Sequence, residues 1–128
     1  MAEITHFDDL WWHDSMLLNV GIDRTLPGKA DTISIMVQWY DSERTETIIF
    51  ENVFSATIKY NFGVIVGNGG EPILDAFSRD NNSQEVRDFK TMNPQWRNHV
   101  ISFFCIEMNS TGSTISLFAQ SFKIVHVH

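Results

Sequence analysis

The spacing most suggestive of metal chemistry is Val125-His126-Val127-His128, close to the carboxyl end of the 128-residue chain. Residues two apart on a strand project from one face, so the imidazoles of His126 and His128 can grip a single cation. His13 and Asp14 supply further ligand types, but catalytic zinc generally takes three protein ligands and no third partner for the pair can be identified. A solvated strand end is the plainer reading. A second cluster, Leu10-Trp11-Trp12-His13-Asp14-Ser15, sets His, Asp and Ser in a row. Neighbours on an extended chain point in opposite directions and cannot line up as a catalytic relay. Trp11 and Trp12 are expected to cover one end of the core, with Asp14 satisfying backbone donors at a strand entry. As a ligand site, the segment offers Trp12, His13 and Asp14.

Other chemistry-bearing residues are less specific. Gly67-Asn68-Gly69-Gly70 is followed by Glu71-Pro72. It lacks both the Gly-Lys-Ser/Thr ending of a phosphate loop and the strand-helix setting of a dinucleotide fingerprint. The carboxylate pairs Asp8-Asp9, Asp41/Glu43 and Glu71/Asp75 fall in expected loops, where acidic side chains are ordinarily solvated. Cys105 lies in the apolar run Ile101 to Ile106, the setting of a buried, reduced thiol rather than a nucleophile. Trp39, Tyr60 and Trp96 would suit a sugar or small-ligand pocket between layers, although core packing explains the same rings.

These residues sit on a chain dominated by period-two alternation, the mark of strands with one buried face. The pattern predicts strands over Met16 to Ile22, Asp31 to Tyr40, Thr45 to Glu51, Phe54 to Phe62, Ile73 to Phe77, His99 to Met108 and Thr114 to Val127, with Val64 to Val66 less regular. Met16, Leu18, Val20 and Ile22 would share one face, and Phe54, Ala56, Ile58, Tyr60 and Phe62 another. Turns are expected at Leu26-Pro27-Gly28-Lys29, Asp41 to Arg44, Glu51-Asn52 and Asn109 to Ser113. One short helix fits Ser83 to Lys90, capped by Ser83 and ended by Asn93-Pro94. About seven strands joined by short links imply one all-β domain over residues 1–128, an antiparallel β-sandwich or partly closed barrel.

Composition narrows function by exclusion. The formal net charge is −7, and the nine Lys and Arg are scattered. That disfavours nucleic acid and anionic membrane surfaces and is compatible with a basic protein partner. No apolar run approaches the roughly 20 residues that span a bilayer. The start has neither a basic n-region nor an apolar h-region, and the single cysteine forms no internal disulfide; both fit a cytoplasmic protein. No cofactor is indicated. Self-association is an additional expectation if the Thr114 to Val127 strand lies at a sheet edge.

Trp12-His13-Asp14-Ser15-Met16-Leu17, Ile22-Asp23-Arg24, Pro27-Gly28, Asp31-Thr32-Ile33, Trp39 with Asp41, Asn61-Phe62-Gly63-Val64-Ile65 and Glu107 to Ser113 together resemble a group of small, uncharacterised bacterial all-β proteins. These are similar in size and pattern to immunity-type proteins encoded beside bacterial toxins. The resemblance implies a protein-binding role and carries no catalytic residues with it. The expected function is therefore a non-enzymatic protein-binding module, immunity-like toward a toxin partner. The alternative is a small-ligand binder or hydrolytic enzyme using an interlayer pocket, with His13, Asp14 and His99 as its polar groups.

Overall fold

The computed structural model describes residues 6–63, 70–109 and 111–126. Among them are six strands and one helix: β1 (Met16–Asp23), β2 (Thr32–Gln38), β3 (Thr45–Lys59), β4 (Glu71–Arg79), α1 (Gln84–Met92), β5 (Ser102–Met108) and β6 (Thr114–His126), with single 3-10 turns at Phe7–Asp9 and Pro94–Trp96. The expected Val64 to Val66 run, residues 67–69 of the glycine-rich stretch, Val127 and His128 lie outside the described residues. The fold is all-β and antiparallel throughout. Its strand order, β1-β2-β3-β6-β5-β4, closes on itself as a barrel. Two three-stranded meanders, β1-β2-β3 and β4-β5-β6, are joined along the long β3–β6 ladder and by a seam of two pairs, Met16↔Pro72 and Leu17↔Glu71.

Alternation fills the interior. Ile33, Ile35 and Val37 of β2, Ile48 and Phe50 of β3, Phe104, Ile106 and Met108 of β5, and Ile115, Leu117 and Ala119 of β6 are all buried in one cluster. Stripes from neighbouring strands meet because each strand turns every second side chain inward. Phe7 enters the same cluster from the amino-terminal segment, against Trp12, Phe104 and Phe122 at centroid distances of 4.7 to 5.4 Å.

Irregularities in two strands correct the simple alternation. The turn expected at Glu51-Asn52 is a corner inside the single strand β3, which is why six strands replace the expected seven. Asn52 takes a left-handed φ of 52°, a conformation asparagine tolerates better than most residues. Its side-chain amide donates to that of Gln120 on β6. Phe50 and Phe122 pair on one side of the corner, Val53 and Ala119 on the other. Each strand therefore spends one extra residue there, and the inward parity switches on both. A bulge between Val53 and Ser55 follows. It turns Phe54 outward onto Trp96 and His99, while Phe62, expected on the buried face, is almost fully exposed. In β1 a bulge between Leu17 and Asn19 turns Leu18 out beside the buried Leu17. Ile22 stays opposite the buried Ile33 but is exposed near the end of the strand.

The helix forms where its capping signals lie. Ser83 accepts a hydrogen bond from the Val86 N–H, and the helix stops before Pro94. It lies on the outside of the sheet, with Phe89 stacked on Phe118 at 4.0 Å and on Trp96 at 5.6 Å. This outer aromatic layer explains why β5 and β6 carry apolar residues on both faces. β6 is flanked by β3 and β5 from Thr114 to Ala119, so the open edge on which self-association would depend is absent there.

The short seam is reinforced by the amino-terminal segment. Asp14 N–H donates to Ile73 O at 2.9 Å and Ile73 N–H to Ser15 O at 2.8 Å; Asp8 accepts from both the backbone N–H and the hydroxyl of Ser78. Ser15 is fully buried. Its hydroxyl donates to the Trp11 carbonyl and accepts from Tyr40 N–H at 2.9 Å, pinning this segment to the β2–β3 turn. Leaving both backbone groups without a partner costs about 1–3 kcal/mol. Ser15→Ala is expected to lose that much in urea denaturation, and a change below about 0.5 kcal/mol would refute the role.

Candidate functional site

The site begins with a parity effect at the end of β2. Trp39 continues the inward stripe and is buried, so Tyr40, the next residue, faces out. The same step occurs at Trp11 and Trp12. Trp12 is buried, donates its indole N–H to Phe7 O at 2.7 Å, and meets Trp39 edge-on at 5.1 Å. Trp11 turns outward and stacks on Tyr40 at 6.2 Å with a 24° interplanar angle. The two rings are 53% and 59% exposed.

Of the three residues the sequence nominates for ligand binding, Trp12 belongs to the core, while His13 and Asp14 are exposed beside Trp11. His13 Nδ1 contacts the Leu74 carbonyl at 2.8 Å, and its Nε2 lies 3.7 Å from the Asp14 carboxylate. Asp14 has a φ of 67°, and its contribution to the strand entry is its own N–H rather than its side chain. A cleft of roughly 270 Å³ adjoins these residues, between the first 3-10 turn and β4, with Asp8, Asp9, Trp11, His13 and Asp75 on its walls. Tyr40 is the member that sequence reasoning missed, and Asp75, read there as a loop carboxylate, sits in β4 on the same cleft as Trp11. Parity in β2 marks Tyr40 as outward, but nothing in the sequence brings Asp75 beside Trp11.

Compared with protein-family models, curated proteins and solved structures, the chain matches none.

His99, proposed alongside His13 and Asp14, lines a different cleft. That groove, about 550 Å³, runs between Trp96, Phe54, Asn52 and the β1–β2 turn, with Arg24, Lys29 and Asp31 on its rim. The Gly28 N–H and then the Arg24 guanidinium hold the Asp31 carboxyl below the usual carboxylate range. Of the carboxyl-terminal histidine pair, His126 is engaged by a different partner. His126 Nδ1 meets the Glu46 carboxylate, whose other oxygen accepts the Trp39 indole N–H at 2.6 Å. His128 lies outside the described residues. Among the described residues no three His, Cys, Asp or Glu side chains gather to hold a metal ion. Burial, followed by the nearby Glu107 and Asp75 charges, pushes the Cys105 thiol up, which lowers its thiolate fraction at neutral pH.

Tyr60, a candidate for a sugar platform, is half-buried at the end of β3. Burial and then the Glu71 charge push its phenol up to about 12 from 10.0. The folded state therefore holds this proton more tightly than the unfolded chain does. Its contribution to stability is complete below pH 10 and is lost as the pH rises toward 12. Denaturant titrations across that range are expected to show an alkaline decline in the wild type that is smaller in Tyr60→Phe. Equal declines would show that Tyr60 is not its source.

Proposed function

We propose that this protein is a non-enzymatic protein-binding module of the immunity type, neutralising a toxin partner by covering part of it. The observation that carries this reading is the Trp11–Tyr40 pair. Two large aromatic rings stand half or more in solvent, stacked on each other, on two segments that the buried Ser15 hydroxyl ties together. Exposed rings on a rigid frame are the usual anchors of protein interfaces, because they bury much area and lose little side-chain freedom on binding. The toxin-immunity aspect rests on the sequence resemblance, and a cytoplasmic location belongs to the same proposal. No helix among the described residues is long and apolar enough to cross a membrane, which is compatible with that location.

A second reading, a small-ligand binder, is favoured by the groove between Trp96, Phe54 and the β1–β2 turn, since rings beside a cationic rim suit a planar ligand. A thermal-shift screen with common metabolites tests it, because selective binding to the folded state raises the melting temperature. For the leading reading, the chain is expected to form a stoichiometric complex with the product of an adjacent gene and to abolish that product's toxicity on co-expression. Recovery of this chain alone across several growth conditions, with toxicity undiminished, would count against it.

A further inference from the structure

The acidic charge of the chain is concentrated around its exposed aromatic pair. Asp8, Asp9, Asp14 and Asp75 lie beside Trp11, and Asp41 and Glu43 belong to the turn that presents Tyr40; the only Lys or Arg in these segments is Arg44. Six carboxylates against one guanidinium sum to −5 in these segments, of −7 for the whole chain. The one basic residue of β4, Arg79, is occupied elsewhere, 3.5 Å from Glu85 and over the Phe77 ring.

The link that Ser15 makes does not use the two rings themselves. It uses the Trp11 carbonyl and the Tyr40 N–H, both held by Ser15, and leaves the side chains in contact with each other. An exposed apolar platform framed by carboxylates matches one kind of surface in particular. A guanidinium can lie flat on an indole face while its N–H groups reach adjacent carboxylates.

Building on the protein-binding reading, we infer that this face is the docking surface and that its partner presents an arginine-rich basic segment, with one guanidinium stacked on Trp11. The carboxylates steer the encounter and the ring pair anchors it. A lysine-rich segment satisfies the charge but not the stacking, so arginine is preferred.

The test uses peptides of six arginines, six lysines or six glutamates, titrated into the isotopically labelled full chain and followed by NMR. Hexaarginine is expected to shift the Trp11 indole N–H and the Tyr40 and Asp75 amides saturably, more tightly than hexalysine, with hexaglutamate inert. Trp11→Ala should weaken hexaarginine by about three- to tenfold, and Asp9→Asn with Asp75→Asn should weaken both cationic peptides. Met92→Ala, an exposed apolar residue on α1, should change neither. Unchanged hexaarginine affinity in Trp11→Ala, or shifts confined to another face, would overturn the assignment. A natural partner that binds Trp11→Ala and Asp9→Asn/Asp75→Asn as tightly as wild type would also overturn it, while leaving protein binding intact. Failure to find any partner, with hexaarginine still bound at Trp11, would instead overturn the reading beneath it.

Discussion

The pairing of β3 with β6 is the contact on which the remaining architecture depends. It is the longest ladder in the sheet, running from Glu46↔His126 to Lys59↔Thr114, and it makes one barrel of two meanders. Both strands are too long to continue straight without carrying their apolar stripe away from the core. The corner at Asn52 and Gln120 resolves this by inserting one residue into each strand at the same level. Across the corner the ladder keeps its register, so Ile48 and Phe50 on one side and Val53 on the other reach the same interior. The bulge that follows, in β3 alone, shifts the register by one residue and brings Ile58 to the same interior opposite Ile115.

Closure at the opposite seam relies on different physics. Two residue pairs between β1 and β4 make a thin junction, and the chain before β1 supplies the rest through backbone bonds at Asp14, Ser15 and Ile73 and through Asp8 on Ser78. Phe7 and Trp12 then cap the core from the same side. The Trp-His-Asp-Ser segment is thus mostly a structural clasp, with the side chains of Trp11, His13 and Asp14 left exposed.

The all-β class, the helix with its Ser83 cap and the placement of the last hairpin were legible because each rests on a local pattern. Alternation in β2, β5 and β6 reports burial directly. What misled was counting parity through bulges. Leu18 looks inward in sequence, but it is the extra residue of the β1 bulge and turns out; Phe62 is exposed because β3 ends at Lys59, before reaching it. Asn52 reads as a turn residue for the same conformational reason that fits it to a corner within a strand. The candidate site was half legible. The Trp11/Trp12 alternation requires one ring in and one out, but the meeting of Trp11 with Tyr40, and of Trp11 with Asp75 on one cleft, depends on barrel closure, which no short-range spacing encodes.

Ser15 divides the labour of its neighbours in a way that bears on how such a surface can change over time. Because the hydroxyl grips main-chain atoms of Trp11 and Tyr40, the link between the amino-terminal segment and the β2–β3 turn does not depend on which side chains those positions carry. Replacements there remove the contact between the two rings and leave that link in place. These two positions can therefore vary over time more freely than Ser15 and the buried stripes, which are held by the need to fold.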